Sequence, residues 1–163
     1  MNADRLGERG QVAVYAVVLF PLLTLVLALV LAVGSLEVLR TRLRAQIDMA
    51  ALTATQALDL PALVAGGPPS LVESQADALA REYLARNLAA TSDLLAASPA
   101  QIAAGAEIAI TNGPGTDPIT GAPIDAPTVS IRVAVPARIP LLGFVGLLPV
   151  VTLMMTGSAA ART

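Results

Sequence analysis

From Val12 to Val33 the chain carries no charged side chain, and only Tyr15 and Thr24 bring a polar group into the run. As a helix this segment is about 33 Å long, against about 30 Å for the hydrocarbon core of a bilayer. Secretory apolar regions are shorter, roughly 7–15 residues. The run therefore reads as a retained membrane helix rather than a cleaved signal, even though Gly34-Ser35 imitates a small-residue cleavage site. Pro21 falls inside it and is expected to kink it.

Beyond the run the pattern becomes amphipathic. Leu39, Leu43, Ile47, Ala50, Ala54 and Leu58 recur at three- or four-residue spacing, which continues the helix as one apolar stripe from about Gln11 to Leu58. Pro61 and Gly66-Gly67-Pro68-Pro69 end it and define a linker over 59–69. Ser70 and Glu73 stand at capping-box spacing and predict a second helix over 70–95, closed by Ser98-Pro99. Its charges form i,i+4 pairs, Asp77 with Arg81 and Glu82 with Arg86, and read as a solvated face.

At Ala106 the period falls to two. Glu107–Thr111 and Thr128–Val135 predict strands, the second with Val129, Ile131, Val133 and Val135 facing the core. The Gly-, Pro- and Asp-rich Asn112–Pro127 between them reads as a long hairpin loop. Ile139–Met155 is apolar, but Pro140, Gly143, Gly146 and Pro149 interrupt it. That argues against a second crossing and for an apolar loop or short helix before a third strand near Val150–Ser158. The expected fold is α+β: a leader over 1–10, a transmembrane helix over 11–34, and an exported domain over 35–163. Within that domain fall the helix extension 35–58, the helix 70–95 and an antiparallel sheet over 106–159.

Composition narrows the chemistry. The chain has no Cys, no His and no Trp, and its ten cations are all Arg. Disulfides, thiol or imidazole catalysis, Cys/His zinc sites and lysine chemistry are excluded on that ground. A net charge of −2 without a clustered basic face gives no basis for nucleic-acid binding. Asp117 and Asp125 flank the long loop, but two acids eight residues apart are not a calcium ladder, so no metal is expected. Glu37 and Asp48 share a helix face with Arg40 and Arg44 and are too far apart for a catalytic carboxylate pair. No cofactor, small-molecule substrate or enzymatic activity is expected.

Gly10-Gln11, Ala13, Val14 and Pro21, followed by Leu43-Arg44-Ala45-Gln46-Ile47-Asp48-Met49-Ala50-Ala51-Leu52, resemble the TadE/TadG-like proteins of the tight-adherence (Flp, type IVc) pilus system. The terminal strand closing on small residues at Val150–Ala161 is similar to that family's C-terminal end. The resemblance implies a structural role, as a minor pilin or membrane-anchored accessory protein working with other pilus subunits or the assembly platform. It implies a processing site at Gly10 and Gln11 and a helix-packing interface drawn from Tyr15, Pro21, Leu43, Ile47, Asp48, Ala50 and Ala51. The pseudopilin branch carries a glutamate where this chain has Tyr15. A buried glutamate demands a partner in hydrocarbon, whereas a tyrosine serves as an interfacial anchor. The departure points toward the TadG-like branch and toward inefficient cleavage after Gly10.

An anchored binding module for a small ligand or protein, unrelated to pili, is the reading from a different class. Orientation is nearly balanced: Arg5 and Arg9 precede the helix, and Arg40, Arg42 and Arg44 follow it. Long C-terminal segments translocate regardless of charge, and the resemblance places this one outside the inner membrane. The N-terminus is expected in the cytoplasm and Ser35–Thr163 on the external face.

Overall fold

A computed structural model of the chain describes the backbone of residues 4–138 and 150–161. The expected apolar connection at 139–149 lies outside the described residues. Among the described residues the elements run helix α1 (Asp4–Ala54), the short α2 (Leu60–Val64), α3 (Glu73–Ala89), a 3-10 turn (Ser92–Leu94), α4 (Pro99–Ala104), then strands β1 (Glu107–Thr111), β2 (Gly115–Thr116), β3 (Pro123–Ile124), β4 (Thr128–Arg138) and β5 (Val150–Ala160). The fold is α+β.

At 51 residues α1 is about 77 Å long and runs through Pro21 as one assigned helix. Its second half carries the stripe Leu39, Leu43, Ile47, Ala50, Ala51 and Ala54, all buried. The small residues at its end allow close approach, and α3 answers with Ala76, Ala80, Leu84 and Leu88, spaced four apart and fully buried. Truncating Leu43 or Ile47 to Ala in such a core costs about 2–5 kcal/mol.

The sheet is antiparallel in the order β1-β4-β5, with β2 and β3 forming a separate two-stranded ribbon. Central β4 pairs with β1 over Thr128–Arg132 and with β5 along its whole length. Val129, Ile131, Val133 and Val135 are buried together, as the alternation predicts, and Ala137 extends the row. Thr128 and Ser130 are buried as well; on that face the loop between β2 and β3 reaches the strand, with Ser130 donating to the Asp117 carboxylate and Arg132 to the Ile119 carbonyl. The strand passes through Pro136, which falls beyond the stretch paired with β1, so its missing N–H breaks no ladder there. The Pro136 carbonyl instead accepts from the Ala96 amide at 2.8 Å.

Helix α1 begins at Asp4, ahead of the expected Gln11, α2 forms inside the expected linker 59–69, and β4 and β5 run on to Arg138 and Ala160. Three further boundaries differ from expectation for a non-local reason. Helix α1 stops at Ala54 rather than Leu58, because Leu58 forms an antiparallel bridge with Leu71. Helix α3 begins at Glu73 with Val72 as an N-cap that makes no side-chain bond. Ser70 cannot cap it, because Ser70 and Leu71 are held extended: the Asp59 amide donates to the Ser70 carbonyl, and Asn112 grips Leu71 at both ends of its backbone. The capping box lies instead at Ser98 and Gln101, with Pro99 in the first turn of α4. Helix α3 ends at Ala89 rather than Leu95, which is drawn into a bridge with Ala137.

Candidate anchoring and assembly surface

The lower half of α1 stands apart from the core. Every large apolar side chain from Val17 to Val33 is at least half exposed, and Tyr15 is 66% exposed. In water that surface would be a severe liability; in a bilayer it is matched by lipid. This is the one helix, among the described residues, long and apolar enough to cross a membrane. The same helix then leaves the apolar zone and becomes the spine of the folded part.

The residues singled out from the sequence fall into three places. Gly10 and Gln11 lie in the first turns of α1. Tyr15 and Pro21 sit on its exposed half. Leu43, Ile47, Ala50 and Ala51 are wholly buried against the chain's own α3 and sheet, about 33 Å or more along the helix from Pro21. Helix packing by these four is therefore intramolecular. Asp48 lies at the margin, half-buried, with its carboxylate 4.0 Å from Arg44 Nε and close beside Gly157 on β5. Glu37 pairs with Arg40 at 3.0 Å.

Polar side chains hold the upper part together where the sequence shows only surface. Arg81 pairs with Asp77 at 2.9 Å, as its spacing predicts, but its Nη1 also donates to the carbonyls of Ala103, Ala104 and Ala106 at 3.0–3.1 Å. A cation thus closes the C-terminal end of α4. The expected Glu82–Arg86 pair does not form among the described residues; Arg86 lies over the Tyr83 ring at 5.8 Å instead. Asn87 Nδ2 donates to the Gln46 carbonyl at 3.0 Å and ties α3 to α1.

Asp117 is the one strongly enclosed carboxylate among the described residues, 2% exposed. Burial by itself raises its pKa. Hydrogen bonds from the Ser130 and Thr120 hydroxyls and from the Ile119 and Thr120 amides outweigh that and hold it below the ordinary carboxylate value. Ser130 donates at 2.5 Å and Thr120 at 2.6 Å. Asp125, its partner in the imagined calcium loop, is exposed, and no group of three potential ligand side chains occurs among the described residues. Asp117 is a fastener between the ribbon and β4. Periodicity has no signal for such a role; an Asp followed by Pro in a turn-rich loop is the only hint.

No curated protein and no solved structure matches the chain. Residues 10–66 match the model of the Tad family, described as "Putative Flp pilus-assembly TadE/G-like". The matched stretch takes in α1 from Gly10 onward, the turn after it and α2. Over that segment, about a third of the chain, the protein is similar to TadE/TadG-like proteins of Flp pilus assembly.

Proposed function

We propose that this protein is a membrane-anchored structural component of a Flp pilus assembly system, either a minor pilin or an accessory protein of the TadG-like kind. One observation carries the reading: the segment matching the family is the same helix whose first half is bare and apolar and whose second half is the spine of an α+β domain. Such a helix fixes a folded head to a bilayer and leaves exposed side chains for neighbouring subunits.

The N-terminus lies in the cytoplasm and the domain after Ser35 on the outer side of the inner membrane. Tyr15 anchors the helix near the bilayer surface. Leu43, Ile47, Ala50 and Ala51 join the helix to its own domain, while Tyr15, Pro21 and Asp48 are the positions left for contact with other pilus subunits or the assembly platform. The work done is packing and positioning, with no substrate turned over.

Two measurements test this. Other pilus-assembly components should co-purify with the full chain extracted from its native membrane, and their absence from such preparations would refute the pilus assignment. A cysteine at Thr116, on the exposed ribbon, should react with an impermeant thiol reagent on intact cells; protection until permeabilisation would overturn the exported-domain reading.

A further inference from the structure

Just above the apolar half of α1, a groove of about 290 Å³ runs along the helix, lined by Gly34, Ser35, Val38, Leu39, Arg42 and Leu94. Gly34, Val38 and Arg42 are four residues apart and share one helix face; Leu94, from the 3-10 turn after α3, forms the opposite wall. The lower part of the groove is apolar and its upper end carries a guanidinium.

We propose that this groove holds an anionic phospholipid of the bilayer that α1 spans, with an acyl chain against Gly34, Val38 and Leu94 and the phosphate at Arg42. The inference rests on the anchoring reading given above. Three observations favour that occupant.

The first is position. The uncharged run ends at Val33, so the mouth at Gly34 meets the edge of the hydrocarbon. Arg42 lies about 12 Å further along the axis, and helical side chains lean toward the N-terminus, here the bilayer. A long arginine therefore brings its charge down toward a headgroup layer that is about 6 Å deep.

The second is charge. Of the three arginines that follow the run, Arg40 is committed to Glu37 at 3.0 Å and Arg44 lies 4.0 Å from Asp48. Arg42 has no carboxylate partner among the described residues and is exposed. Its planar fork of donors suits a phosphate.

The third is space. A side chain at Gly34 would meet no protein atom within 4 Å, so the mouth is open on the protein side. Val38, in the groove itself, is 54% exposed although it is apolar and lies beyond the uncharged run. A bound acyl chain would cover it.

The test uses the full chain purified in detergent and offered mixtures of phosphatidylglycerol and phosphatidylcholine, with the retained lipid counted by native mass spectrometry. Phosphatidylglycerol should be retained about tenfold over phosphatidylcholine, because both carry the phosphate but phosphatidylcholine also sets a quaternary ammonium beside the Arg42 guanidinium. Arg42→Gln should abolish that preference and Arg40→Gln should leave it intact. Gly34→Leu should block retention of both lipids without lowering the unfolding temperature, since the new side chain enters open space. A preference that survives Arg42→Gln, or that Arg40→Gln removes equally, would overturn the site in favour of diffuse charge attraction. Flotation of the same protein with vesicles separates the two readings. A chain that floats but shows no lipid preference sinks the groove alone, and a chain that does not float sinks the anchor as well.

Discussion

Gly157 of β5 lies directly against Asp48 of α1: a Cβ at position 157 would come within 2.5 Å of the Asp48 carboxylate and 2.8 Å of the Ile47 Cγ2. The absence of a side chain there sets how closely the spine approaches the last strand. Substitution must push the two apart or force Asp48 out of place. Gly157→Val is expected to cost about 1–3 kcal/mol through overpacking, and Gly157→Ala less, because the Asp48 carboxylate can swing toward solvent. Thermal unfolding of the two variants should fall in that order. Gly113→Ala, at a glycine with open space around it, should stay near wild type. Equal stability for Gly157→Val would show that the contact is not tight.

Asn112 grips Leu71 with both halves of its amide: Oδ1 accepts from the Leu71 amide at 2.7 Å, and Nδ2 donates to the Leu71 carbonyl at 3.0 Å. Asn112→Asp keeps the shape and the acceptor but sets an anion beside a carbonyl. Loss of about 1 kcal/mol in urea unfolding is expected for Asn112→Ala, with Asn112→Asp no better, since the clasp is only partly buried. An Asp variant as stable as wild type would mean that only the accepted bond matters.

Asp117 gives stability a pH dependence of definite sign. Its pKa is lower in the folded chain than in an unfolded one, so the carboxylate favours the fold above its unfolded value, near 3.9. That contribution fades as the pH falls through the folded value. Wild type should therefore lose more stability between pH 5 and pH 2 than Asp117→Asn, which starts lower at neutral pH. Parallel losses in the two proteins, followed by urea midpoints across that range, would assign the acid sensitivity elsewhere.

Processing offers a fourth outcome. If, as the resemblance implies, Tyr15 stands where the pseudopilin branch carries glutamate, the intact mass of the membrane-extracted protein should show little or no species beginning at Gln11. Tyr15→Glu should raise that fraction. A dominant Gln11 form in the wild type would move the protein toward the pseudopilins.

Much of the architecture is carried by local pattern and was readable from it. The uncharged run, the stripe through Leu43 and Ile47, and the alternation in β4 each repeat a single physical requirement over many residues, which makes them robust to local exceptions. The departures sit where one residue answers to a distant one. Ser70 has the right spacing to cap a helix, but Asn112, forty-one positions beyond Leu71, holds that neighbour extended. Arg81 has the right spacing for Asp77, yet its larger task is at the end of α4, more than twenty residues on. Leu58 fits the helical stripe and Leu95 stands at the expected helix end, yet both are drawn into bridges instead. Of the candidate surface, the division of α1 into a bare half and a clad half follows from charge and period. The groove at Arg42 does not, because Leu94 reaches it only through the turn that ends α3.

Because α1 is one unbroken helix from the apolar run into the core, azimuth is a transmitted quantity. The bare half and the head are two stretches of a single shaft, so rotation of the bare half about its axis turns the head by the same angle. One residue inserted between Val33 and Gly34 would swing the groove, the ribbon and β5 through about 100° while lifting them only about 1.5 Å. A neighbour that reads the head from one side would then meet a different face. The length of the apolar run thus acts as a compass setting for the domain above it.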